Sequence, residues 1–154
     1  MIRKSSIFFL SLLFLALAAS PAPAQNAAVD CAVVIEEPHS GQVMPNRIAV
    51  AGTATLPPGH HLWVFDRRFD FEPDWWIQGE ATVDPQTHQW RRFATLGGDN
   101  DIGWDFDLTA AVVGPAEHQV LAAHFSQDIN DKNYRPLVMP RAACVAPTLR
   151  VTRR

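Results

Sequence analysis

His61 to Arg68 reads HLWVFDRR: four apolar residues in a row, Leu62, Trp63, Val64 and Phe65, set between a Pro57-Pro58-Gly59 turn and the charged cluster Asp66, Arg67 and Arg68. The run is too short for a buried helix and is rich in aromatic and branched side chains, which marks a strand covered on both faces. Such a strand belongs in the middle of a sheet packed against a second sheet. The expectation is an all-β sandwich, and the flanking sequence bears on it in both directions.

Upstream, Arg47 to Thr53 (RIAVAGT) alternates, with Ile48, Val50 and Gly52 on one face and Arg47, Ala49 and Ala51 on the other, the pattern of a strand with one buried face. Cys31 to Glu36 (CAVVIE) reads as the first strand and ends at Glu37 to Gln42, where Pro38 and Gly41 set a turn. Downstream, Phe69 to Pro73 mixes acids and aromatics as a loop lying partly over the sheet, and Trp75-Trp76-Ile77-Gln78 is a short apolar strand. Asp84-Pro85-Gln86-Thr87 reads as a hairpin turn, from which Gln89 to Leu96 returns as a strand. After the polar loop Gly97 to Gly103, the segment Trp104 to Val113 begins as alternation, with room for a helical turn near Asp107 to Val112. Glu117 to Phe125 has fair helix propensity but is expected as a strand, since Gly114-Pro115 precedes it and strands surround it. Pro136 to Pro140 reads as an extended edge and Thr148 to Thr152 as the closing strand. Seven to nine short antiparallel strands suit a single two-sheet sandwich.

The first 24 residues are expected to be a cleaved signal peptide: Arg3 and Lys4 make a basic start, Ile7 to Ala19 an apolar core, and Ala22-Pro23-Ala24 a small-x-small site. The apolar run is short for a membrane anchor, and no later segment is long and apolar enough to span, so no membrane span is expected after cleavage. Residues 25–154 then form one domain, secreted or periplasmic. Of 13 basic and 16 acidic residues, the leader takes two basic ones, leaving a net charge of −5. A mildly acidic chain lacks the footprint for nucleic acid. In an exported chain the two cysteines, Cys31 and Cys144, are expected to pair as a disulfide.

Few residues point to chemistry. Adjacent residues of a strand face opposite ways, so Trp75 and Trp76 cannot both enter one core, and an exposed indole there is the best candidate for ligand binding. Trp63, Trp90 and Trp104 are assigned to the core. The Asp99 to Asp107 loop invites calcium, but Gly103 sits where an oxygen ligand belongs and a closing Glu is missing, so a solvated acidic loop with Asp105 and Asp107 on one wet face is expected instead. The histidines show no zinc spacing: His60 and His61 diverge in a strand, and His118 and His124 lie six apart without cysteine. No metal and no cofactor is expected. There is no Gly-x-Ser-x-Gly elbow, Ser126-Gln127-Asp128 after His124 is a chance juxtaposition, and Gly97-Gly98 is a turn rather than a phosphate loop.

Taken in order, Glu36-Glu37-Pro38, Ser40-Gly41-Gln42-Val43, Val50-Ala51-Gly52-Thr53, Leu62-Trp63-Val64, Trp76-Ile77-Gln78, Trp90, Leu96-Gly97, Asp101-Ile102-Gly103, Phe106 and Leu149-Arg150-Val151-Thr152 resemble a family of bacterial immunoglobulin-like domains attached to exported proteins. The resemblance covers nearly all of residues 25–154. It implies an immunoglobulin-like β-sandwich with an auxiliary or binding role, and it brings no catalytic residues. The cysteine pair departs from the family pattern, and the domain is expected to stand alone, without a partner domain. The expected function is that of a non-catalytic module engaging an extracellular or envelope protein or polysaccharide through surface loops. The alternative is a structural accessory subunit of an envelope or secreted complex. A pocket gathering several of His39, His60, His61, His88, His118 and His124 would instead favour a hydrolase or metalloenzyme.

Overall fold

The computed structural model describes residues 30–154, and the expected leader lies outside the described residues. The strands are β1 (Ala32–Glu37), β2 (Val43–Met44), β3 (Arg47–Thr55), β4 (His61–Arg68), β5 (Asp74–Ala81), β6 (Gln89–Thr95), β7 (Asp105–Val113), β8 (Leu137–Val138), β9 (Cys144–Val145) and β10 (Leu149–Arg153). One helix, α1 (Pro115–Asp131), follows β7. The fold is all-β and sandwich-like. Ten strands among the described residues exceed the expected seven to nine because β2, β8 and β9 are two-residue pairings at sheet edges.

One sheet has the order β1-β3-β6 and the other β2-β10-β7-β4-β5-β8, with β9 added along β7. All pairings are antiparallel except β2 with β10. As its apolar run requires, β4 is central, held by β5 on one side and β7 on the other. Leu62 and Val64, with Leu108 and Val112 of the neighbouring β7, face the opposing sheet and pack there against Val50, Trp90 and Leu96. Trp63 and Phe65 point the other way, and their cover is α1 rather than a third sheet, with Trp75, Ile77, Ala111, Val113 and Leu121 forming a second core.

The segment expected as a strand at Glu117 to Phe125 is therefore helical. Gly114-Pro115 starts the helix instead of turning into a strand, because proline at the first helical position loses no hydrogen bond and presets φ. Leu121 is buried against the sheet, with Ala122 and Phe125 packed beside it, a spacing of about one helical turn. The helix ends at Lys132 in a left-handed cap whose N–H groups reach back to the Asp128 and Ile129 carbonyls. The helical turn considered near Asp107 to Val112 is absent, β7 being strand throughout. Its Ala-Ala-Val-Val end stops alternating because both of its faces are covered.

Cys31 and Cys144 form a disulfide, with their Cα atoms 5.9 Å apart. It joins the residue before β1 to β9, and so ties the three-stranded sheet to β7 of the larger one.

Candidate functional site

Beyond Trp75 no described strand pairs with the outer side of β5, and along that free edge a cleft of about 1000 Å³ opens. β6 bounds it on one side and the second half of α1 on the other. Its shape depends on a β-bulge. The β4–β5 register slips between Val64 and Phe65, leaving Gln78 unpaired beside Gly79, which has φ +117°. A bulge re-aims the side chain at the extra residue. Gln78 consequently donates to Asp66 Oδ1 at 2.6 Å and accepts from the Thr95 N–H at 2.8 Å, linking β4, β5 and β6 across the sandwich. Position 79 needs glycine for that positive φ, and a Cβ there would also have to push aside the flexible end of Arg92. Arg92 lies over that gap, donates from Nε to the Gln78 carbonyl at 2.9 Å and reaches toward the Phe125 ring at 5.8 Å.

Asp66 shares the parity of Leu62 and Val64, so strand geometry drives it inward with them, and it is 3% exposed. Burial pushes its carboxyl from 3.8 up to about 8; the Gln78 hydrogen bond acts against that rise, and the nearby Asp101 charge adds to it. The group at the floor of the cleft is therefore mostly neutral at pH 7, a carboxylic acid able both to donate and to accept.

The two tryptophans proposed from sequence part company. Trp75 is 8% exposed and belongs to the core under α1. Arg67 lies over its ring at 4.3 Å. Trp76 is half-buried and lines the cleft, its indole N–H donating to the Tyr134 carbonyl at 3.2 Å. Phe71, from the loop expected to lie over the sheet, meets it edge-on at 5.5 Å between ring centres. Phe71, Trp76 and Tyr134 make an aromatic wall opposite Phe93, which is exposed on β6 with the Arg47 and Arg91 guanidinium groups at 4.8 and 5.3 Å. Neither arginine has a carboxylate within ion-pair distance among the described residues.

The acidic loop is solvated at Asp99 and Asn100, but its later carboxylates are taken up internally. Asp101 accepts from Arg68 at 2.9 Å and from the Gly98 N–H at 2.7 Å. Asp70 is the other anchor of Arg68, which holds the Asp70 carboxyl below its ordinary value. The wet face expected for Asp105 and Asp107 does not exist: Asp107 is buried between Arg67 and Arg150, and Asp105 accepts from the Thr152 hydroxyl. Trp104, assigned to the core, is instead 39% exposed. It precedes β7 by one residue, outside the alternation, and Arg68 stacks over it at 4.2 Å. Trp63 and Trp90 are core residues as expected.

A second cluster lies across the sheet, under the start of α1. Although their spacing gave no sign of it, His61 and His118 stack with ring centres 3.5 Å apart and 12° between planes. Glu80 Oε1 is 2.7 Å from His61 Nδ1 and 4.0 Å from His118 Nδ1. The gathering foreseen as a sign of metal chemistry thus occurs for two of the six histidines.

Sheet order and cleft together define a helix-flanked β-sandwich with an aromatic, arginine-rimmed groove. No protein-family model matches the chain, and no curated protein matches it. Among the described residues no helix is long and apolar enough to cross a membrane.

Proposed function

We propose that this chain is an exported, immunoglobulin-like binding module without catalytic activity, which holds a glycan in the cleft beside β5. One observation carries the reading: the half-buried Trp76 indole, framed by Phe71 and Tyr134, stands beside the Asp66–Gln78 pair in a groove of about 1000 Å³. Sugars present apolar C–H faces to aromatic rings and hydroxyl edges to amide and carboxyl groups, and this groove supplies both. Arg47 and Arg91 at the rim suit a chain carrying carboxylate groups. The disulfide is in keeping with an oxidising compartment.

The test is tryptophan fluorescence of the oxidised protein titrated with neutral and uronic-acid polysaccharides. A saturable shift is expected with the acidic chains, lost in Trp76→Ala and kept in Trp104→Ala. A flat response to every glycan overturns the proposal and turns attention to a co-exported protein.

A further inference from the structure

On the face of β4 and β5 opposite the cleft, we infer that His61, Glu80 and His118 form a binding site for a borderline divalent metal ion of the zinc or copper class. Three separate elements deliver the ligands. His61 opens β4 with the same parity as Trp63, so it faces α1. Glu80 pairs directly with Trp63 across the β4–β5 ladder and points to the same side. His118 sits in the first turn of α1, where the Trp63 indole N–H donates to its Nδ1 at 3.3 Å. That bond makes Nδ1 an acceptor, so its single lone pair is held by a weak donor that an ion can replace.

One donor atom from each residue lies within 4.8 Å of the other two. A tetrahedral ion with bonds of ~2.1 Å needs donors about 3.4 Å apart. The two Glu80 separations, 2.7 and 4.0 Å, bracket that value. Two imidazole nitrogens and one carboxylate oxygen are a donor set for zinc, copper or nickel, whereas calcium and magnesium take oxygen alone. All three side chains retain solvent access, at 32%, 42% and 23% for His61, Glu80 and His118. An ion therefore has an entry path and a water to complete its shell. Binding replaces the direct contact between His61 Nδ1 and Glu80, and it swings the two parallel rings apart so that their in-plane lone pairs converge. The Trp63 indole then gives up its bond to His118, which ties occupancy to a buried fluorophore.

The experiment is calorimetric titration of the disulfide-bonded protein with Zn²⁺ alone, accompanied by tryptophan fluorescence. One ion per chain is expected. His61→Gln, His118→Gln and Glu80→Gln should each weaken it by about tenfold or more. Glutamine keeps bulk and an acceptor near Trp63, and circular dichroism checks that each variant is folded. His88→Gln, at an exposed turn, should leave binding unchanged. Absence of a one-to-one event, or affinity unaltered in the folded His61→Gln and His118→Gln proteins, overturns the assignment.

Discussion

Replacing Asp66 with Asn tests the claim that a nearly neutral carboxyl sits on the cleft floor. Burial raises this group from 3.8 to about 8, so the folded protein binds a proton that the unfolded chain has released. Stability from this group is fully present below pH 4, is lost progressively as pH rises, and reaches its minimum above pH 8. Between those limits the slope is about 1.4 kcal/mol per pH unit. From pH 5 to pH 7 the wild-type protein should lose about 3 kcal/mol through Asp66 alone, as an order of magnitude. Asn retains an acceptor for the Gln78 amide but cannot ionise. Asp70 and Asp84 titrate on the acid side, since Arg68 holds the first low and the Gln86 and Thr87 N–H groups hold the second low. Their contributions fade only below about pH 4. Urea unfolding followed by tryptophan fluorescence at several pH values gives the two curves, and their difference removes every other titrating group. With a urea slope of about 1–3 kcal/mol per molar, the wild-type midpoint should fall by about 1–3 M relative to Asp66→Asn over that interval. Parallel curves would show that Asp66 is already ionised in the folded state and would refute the argument.

Other expectations follow from the packing. Reducing the disulfide, or replacing both cysteines with serine, should cost about 4–5 kcal/mol by the loop-entropy estimate for a separation of 113 residues, read as a fall in melting temperature; an unchanged value would show that the unfolded chain gains nothing from its opening. Asp128, buried in the last turns of α1, accepts from the Arg135 backbone N–H and guanidinium and lies 3.2 Å from His124. Asp128→Ala should destabilise by about 1–3 kcal/mol and speed amide exchange at the C-terminal end of the helix. Gly79→Ala, forced into positive φ against Arg92, should lower stability and broaden the backbone NMR signals of Gln78 and Thr95 together, since one bulge positions both.

Local rules reached the central strand, the alternating faces of β3 and the disulfide, because each depends on a run, a period or a parity within a few residues. They failed where a boundary had to be weighed. Gly114-Pro115 fits either a turn or a helix start, and only the apolar face of β4 left open for Leu121 and Phe125 decides for the helix. Trp104 was carried into the core by extending an alternation one residue before β7 begins. Asp66 was legible in principle: counting by twos from Leu62 places it inside, but its charge marked it as the end of the apolar run. His61 and His118 meet because β4 and the helix start share the end of one sheet face. No spacing rule connects them, since the contact belongs to topology.

The covalent link between Cys31 and Cys144 also decides how the domain answers to pulling. Under tension between residues 30 and 154, the span closed by the disulfide cannot lengthen, whatever happens to its hydrogen bonds. Only the ten residues after Cys144 can pay out, at most ~35 Å of chain at full extension. The first element to yield is β10, which peels from β7 while the cleft floor and the His61–Glu80–His118 cluster stay inside the closed loop.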